Sequence, residues 1–127
     1  MKKLLIIPML FMCSMVIGQT YNSDSIIGKL IKIEKFEVAQ YDFPNRMNWK
    51  DAKAECAKLG KGWRLPTKDE LNIMYENKDK IDGFANGYYW SSTEYSNSYA
   101  WLQFFDSVEQ SYNYKKTKYT VRAVRAF

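Results

Sequence analysis

Apolar and polar positions follow two different rhythms along this chain, and the change of rhythm divides it. Trp49, Ala52, Cys56 and Leu59 recur at spacings of three, four and three residues, which is the period of one helical face. Asn48 stands where an N-cap belongs, with a side-chain oxygen able to accept one of the backbone N–H groups that a first helical turn leaves unpaired. Gly60 supplies a left-handed stop. A second helix is predicted from Thr67, because Thr67-Lys68-Asp69-Glu70 is a capping box. Leu71, Met74, Tyr75 and Ile81 follow on its apolar side, and Gly83 ends the segment. Both helices are short and amphipathic, which suits packing on a sheet.

The strand rhythm lies on either side of them. Leu30 to Val38 reads as one or two strands, with Lys32 and Glu34 toward water and Glu37 a further candidate for that face. Tyr41-Asp42-Phe43-Pro44-Asn45 then breaks the pattern with turn residues. After Gly83 the predicted strands are Tyr88 to Ser92, Tyr99 to Phe105, Val108 to Tyr114 and Tyr119 to Phe127. The last alternates imperfectly, since Arg122 and Arg125 cannot both face one side of a regular strand. Either a bulge intervenes or one arginine is buried with a partner.

The first twenty residues have neither rhythm. Lys2 and Lys3 precede an apolar run from Leu4 to Ile17, too short for a membrane span, and Gly18, Gln19 and Thr20 follow. This is the pattern of a signal peptide over residues 1–18, cut after Gly18, leaving one domain over residues 19–127. Cys13 raises the alternative of a lipid anchor, but Met12 is too bulky for a good lipobox. The expected destination is export: secreted, periplasmic or at the cell surface, with envelope association open. Removing Lys2 and Lys3 leaves 17 basic residues against 14 acidic ones, a net charge of +3. The charges are interspersed, so nucleic acid is not an expected partner; Lys115, Lys116 and Lys118 read as a solvated turn.

Composition then narrows the chemistry. The chain has no His, which removes Ser-His-Asp triads, Cys-His pairs and His-ligated zinc. The exported product keeps only Cys56, so it has no internal disulfide, and Cys56 lies on a helix's apolar stripe, where a thiol is a small hydrophobe. Two carboxylate pairs, Asp69 with Glu70 and Asp106 with Glu109, are close enough in sequence to consider for glycoside hydrolysis. The first opens a helix and the second flanks a turn, so neither has a catalytic context.

Gly62-Trp63-Arg64-Leu65-Pro66-Thr67-Lys68-Asp69-Glu70-Leu71, Tyr89-Trp90-Ser91-Ser92-Thr93-Glu94, Ala100-Trp101, Phe104-Phe105 and Val121-Arg122-Ala123-Val124-Arg125 together resemble the bacterial domain named after the C-terminus of collagen-like adhesins, the Lcl C-terminal type. The "major paralogous" domain of fibre-degrading bacteria looks similar. The resemblance spans about Glu37 to Phe127. It implies an α+β, C-type-lectin-like fold related to formylglycine-generating enzyme, with two short helices packed on small antiparallel sheets and the termini meeting in one of them. It also implies an exported protein acting in adhesion or ligand binding. The chain departs from its relatives at Asp106-Ser107-Val108, where many have Gly. It lacks the Glu-Pro-Asn and Trp-Asn-Asp signatures of calcium-dependent lectins, so calcium-independent binding with no cofactor is expected. The enzyme relatives need two reactive cysteines or a copper site, which Cys56 alone cannot supply.

Within this frame Trp63, Leu65 and Trp90 are expected to form the core where the second helix meets the sheet, with Pro66 and Thr67 continuing the motif. Arg64 is expected to pair with Glu70 or Glu94; Glu70 already serves the capping box, which makes Glu94 the better partner. From Tyr88 to Phe127 there are seven Tyr, two Trp and three Phe among Ser, Thr and Asn, a composition shared with binding loops. Tyr88, Tyr95, Tyr99, Tyr112 and Tyr114 cannot all be buried in so small a domain. In the lectin-like fold this segment lines the ligand face, so the candidate contacts are Tyr95, Asn97, Tyr99, Tyr112 and Asn113. The leading expectation is a non-enzymatic module that binds a glycan or surface protein. The alternative is a structural or assembly component of the cell envelope, its aromatic sheet pairing with another subunit.

Overall fold

A computed structural model of the chain describes residues 22–127; the proposed leader and Cys13 lie outside them. The elements in order are α1 (Ser23–Ile27), β1 (Ile31–Ile33), β2 (Phe36–Val38), α2 (Trp49–Ala57), α3 (Lys68–Glu76), α4 (Lys78–Ile81), β3 (Tyr88–Glu94), β4 (Tyr99–Phe104), β5 (Gln110–Tyr114) and β6 (Val124–Ala126). They form two antiparallel sheets, β1-β2-β6 and β3-β4-β5. The chain therefore closes on itself, with the C-terminal strand paired to β2.

Both long helices start where their caps demand. The Asn48 side chain accepts from the Asp51 N–H at 2.9 Å. Thr67 Oγ1 accepts from the Glu70 N–H at 3.1 Å while Glu70 Oε1 accepts from the Thr67 N–H at 2.9 Å, a reciprocal capping box. The predicted second helix ends earlier than its apolar pattern suggests. Asn77 terminates it, and Ile81 belongs to the separate one-turn helix α4.

Leu30 to Val38 forms two strands, one of the two readings, divided at Glu34, whose φ of 52° makes the β1–β2 turn. Several other expectations are corrected. Glu37 does not face water. Glu37 sits opposite Arg125 in the β2–β6 register, and its carboxylate accepts from Arg125 at 3.0 Å. Pairing makes this burial tolerable. The final strand shortens to Val124–Ala126, because the preceding residues serve other contacts: Tyr119 bridges to Met47 and Thr120 to Tyr89. That resolves the two arginines. Arg122 lies before the strand and is fully buried, donating to Asp42 Oδ1 at 2.7 Å and to the carbonyls of Ala39 and Gly83, each at 3.1 Å. One guanidinium thus ties three loops together. Strand β5 likewise begins only at Gln110, leaving Val108 in an exposed turn.

The β3-β4-β5 sheet has a separate hydrophobic cluster on each face. Trp63, Leu65 and Trp90 belong to the first, with Trp49, Ala52, Cys56 and Leu59. They pack against α2, not against α3 as expected, because Leu71 and Met74 of α3 meet Tyr89, Phe105 and Val124 on the other face. The two sequence motifs interlock between the clusters. The β3–β4 register shifts between Trp90 and Glu94. There the buried Ser91 hydroxyl donates to the Trp101 carbonyl at 2.7 Å and accepts from the Thr93 N–H at 3.0 Å. The Ser92 N–H donates to the Pro66 carbonyl at 2.7 Å, and Thr93 Oγ1 accepts from the Lys68 N–H at 2.9 Å. Trp-Ser-Ser-Thr is therefore a hydrogen-bonded bulge that docks the start of α3 on the sheet.

Candidate functional site

Cross-strand partners share a face of a sheet, and alternate residues return to it. The register pairs Tyr89 with Gln103, Gln103 with Gln110, Trp101 with Tyr112 and Tyr99 with Tyr114, so all of these stand on the α3 side. At one end α3 covers them. Gln103 is fully buried, donating to Asn72 Oδ1 at 3.3 Å and accepting from Gln110 Nε2 at 3.0 Å; Gln110 Nε2 also reaches the Lys68 carbonyl at 3.0 Å. At the other end, among the described residues, no helix covers the aromatic rings.

Tyr95, in the β3–β4 turn, reaches over β4 and lies parallel to the Tyr112 ring, with centroids 3.9 Å apart and planes 5° from parallel. Trp101 meets both edge-on, at 5.6 Å from Tyr95 and 5.3 Å from Tyr112. Tyr99 meets Tyr112 edge-on at 5.7 Å and lies 4.6 Å from Tyr114. The five rings fix one another's orientation, yet Tyr95, Tyr112 and Tyr114 remain 51%, 41% and 55% exposed. The Lys68 ammonium sits 3.7 Å from the Trp101 centroid, a cation–π contact at the boundary between the covered and open ends.

The structure thus brings Tyr95, Tyr99 and Tyr112 together. Asn97 lies beside them in the hairpin, lining a cavity of about 440 Å³ with Ser98, Tyr114, Lys115 and Lys116. Asn113 does not join. Standing between Tyr112 and Tyr114, it faces the other side, where it pairs with Ala100 and its amide donates to the Tyr119 hydroxyl at 2.6 Å. Trp101 and Lys68 complete the site and were missing from the sequence candidates. Tyr99-x-Trp101 and Tyr112-x-Tyr114 alternate with period two, a signal that could have found Trp101. Nothing local could have found Lys68.

The charged groups nearby position this end. Arg64 grips Glu70 with two hydrogen bonds, 2.7 and 3.0 Å, and Glu94 instead pairs with Lys115 at 2.5 Å. The expected preference for Glu94 is thereby corrected: one carboxylate can accept from Arg64 and from the Thr67 N–H at once. Partial burial pushes the Glu70 carboxyl up, but the Arg64 and Thr67 hydrogen bonds and the Arg64 charge outweigh it and leave the group below the usual carboxylate range. On the opposite face, burial and then the Glu55 charge push the Cys56 thiol far up, which disfavours the thiolate. Among the described residues no group of three or more His, Cys, Asp or Glu could hold a metal ion.

Residues 24–125 match the model of the Lcl C-terminal domain. The chain belongs to this family. As an Lcl C-terminal domain it is C-type-lectin-like, and solved structures with that architecture superpose on nearly their whole length. EMS16, described as an antagonist of the collagen receptor integrin α2β1, aligns with a TM-score of 0.58 at 12% identity, over 77% of this chain and 97% of its own. Botrocetin aligns at 0.56 and 18% identity, over 78% and 96%. A complex of botrocetin with a von Willebrand factor A1 domain mutant gives 0.57 and 11%, over 79% and 98%. At these identities the likeness is one of fold. No curated protein matches the chain.

Proposed function

We propose that this Lcl C-terminal domain is an exported, non-enzymatic module that binds a glycan or a surface protein, without calcium, at the open aromatic end of its sheet. The observation that carries the reading is the group of mutually braced rings Tyr95, Tyr99, Trp101, Tyr112 and Tyr114, left uncovered where the rest of the same face is roofed by α3. Rigid amphipathic rings lose little conformational entropy on binding and stack on sugar rings or apolar side chains. The lectin-like neighbours support a protein partner: one is described as an integrin antagonist and another is in complex with a von Willebrand factor domain. Against catalysis stand the Glu70 carboxylate, held by Arg64 and Thr67, and the deeply buried Cys56 thiol.

The test is a glycan array probed with the chain from Gln19 onward, with and without a calcium chelator, beside a variant carrying Tyr95→Ala, Tyr99→Ala and Tyr112→Ala. Binding that survives chelation and disappears in the still-folded variant is the expected result. Failure on every glycan directs the search to protein partners by pull-down from the producing cell's surface. A concentration-dependent oligomer with no ligand of either kind would replace this reading with an assembly role.

A further inference from the structure

The parallel pair at the open end has a chemistry of its own, independent of what the face binds. Tyr95 and Tyr112 overlie each other at 3.9 Å, and both are about half exposed. The Tyr95 phenol beside it holds the Tyr112 proton more tightly than in a free phenol. The neighbouring rings with a comparable ease of oxidation are Trp101, within 5.6 Å of both, and Tyr99, edge-on at 6.3 Å from Tyr95 and 5.7 Å from Tyr112. Lys68 places its ammonium 3.7 Å from the Trp101 centroid and so disfavours a positive charge on the indole. An oxidising equivalent that reaches this end therefore rests on the phenols, which shed their protons to the surrounding water.

We propose that Tyr95 and Tyr112 form an oxidative cross-linking site, coupled into an intramolecular dityrosine by a haem peroxidase using hydrogen peroxide as the oxidant. Each phenol gives up one electron and one proton. The two phenoxyl radicals pair to form a carbon–carbon bond between ring positions ortho to the hydroxyls. The hydrogens on those two carbons then move to the oxygens through water, restoring both phenols. The protein loses two hydrogen atoms in all; the peroxide's O–O bond breaks, and it takes up two electrons and two protons as two molecules of water.

Geometry selects this pair over others. Oriented groups within one molecule react at effective concentrations far above that of any dissolved partner, so dilute protein should couple internally. The other close phenol pair, Tyr99 and Tyr114, is tilted by 32° at 4.6 Å instead of parallel; Tyr41 is about half exposed but is not among the braced rings. The bond would staple the β3–β4 hairpin to β5 and remove two ring edges from the open end.

Dilute protein treated with haem peroxidase and hydrogen peroxide is read by dityrosine fluorescence, intact mass and peptide mapping. The expected product is a monomer lighter by two hydrogens, with a cross-linked peptide joining the segments that contain Tyr95 and Tyr112. Tyr95→Phe and Tyr112→Phe, which keep the rings, should each lower the fluorescence by at least about five-fold; Tyr41→Phe and Tyr99→Phe should not. Covalent dimers as the main product, a cross-link mapped to other tyrosines, full fluorescence in Tyr95→Phe, or no dityrosine at all would each overturn the proposal.

Discussion

The two ends of one sheet face invert the usual distribution of residues. At the covered end, Gln103 and Gln110 lie against α3 with Asn72 and the Lys68 carbonyl, and Gln103 is fully buried. At the open end, on the same strands and the same face, five aromatic rings meet solvent. A buried amide is tolerable because every polar atom finds a partner; among the described residues no buried side-chain nitrogen or oxygen is left without one. An exposed aromatic group has no such internal compensation, and contiguous patches of this kind are uncommon on proteins without partners. The covered end is explained by the fold, and the open end is where the proposed ligand would bind.

The largest test of this contrast concerns stability. Leu71 is completely buried and roofs the covered end, so Leu71→Ala should cost about 2–5 kcal/mol of unfolding free energy. Trp101→Ala, at the open end, should cost no more than about 1.5 kcal/mol, since it removes ring contacts without opening a sealed cavity. Urea denaturation of the two variants decides the matter. Equal losses would make the open rings part of the core and remove their claim to be a site.

The clamp that holds α3 over one end only is the next target. Glu70→Gln keeps the shape but gives up the charged grip on Arg64, and the partial exposure of Arg64 limits the loss at neutral pH to about 0.5–1 kcal/mol. Because the folded state holds the Glu70 proton less tightly than the unfolded chain does, its contribution is complete above the unfolded value near ~4.3 and fades as pH falls through the lower folded one. The wild type and Glu70→Gln should therefore differ at pH 7 and converge in acid. A difference that stays constant to low pH would show that the ionised carboxylate is not what fastens α3.

Local signals carried much of this architecture. Asn48 and the Thr67–Glu70 box mark both long helices, and the lectin-like fold follows from motifs that prove to interlock: Ser91, Ser92 and Thr93 bond to the chain around Trp101, Pro66 and Lys68. What was not legible depends on how distant elements dock. Glu37 looks like a solvent-facing position until β6 brings Arg125 beside it, and Arg122 looks like a strand residue until Asp42 claims it from the far side of the chain. The site was partly legible for the same reason. Tyrosine-rich composition pointed to Tyr95, Tyr99 and Tyr112, but period two alone should have excluded Asn113 and admitted Trp101. Which end α3 would cover had no signature within either strand.

The smallest expected effect asks whether the open end is a preorganised face or a set of free side chains. The Tyr95 phenol beside Tyr112, and the Tyr114 phenol beside Tyr99, raise the pKa of Tyr112 and of Tyr99 above the ordinary tyrosine value. The contribution is present below the unfolded value near ~10 and is lost as pH rises through the higher folded one. Following phenolate absorbance in alkali should reveal late-titrating tyrosines, and Tyr95→Phe should return Tyr112 toward the ordinary value while leaving Tyr99 unchanged. That selectivity matters more than the size of the shift. If Tyr95→Phe moves nothing, the stacked pair is not held in solution, the rings sample many orientations, and a ligand would have to supply the order that the covered end receives from α3.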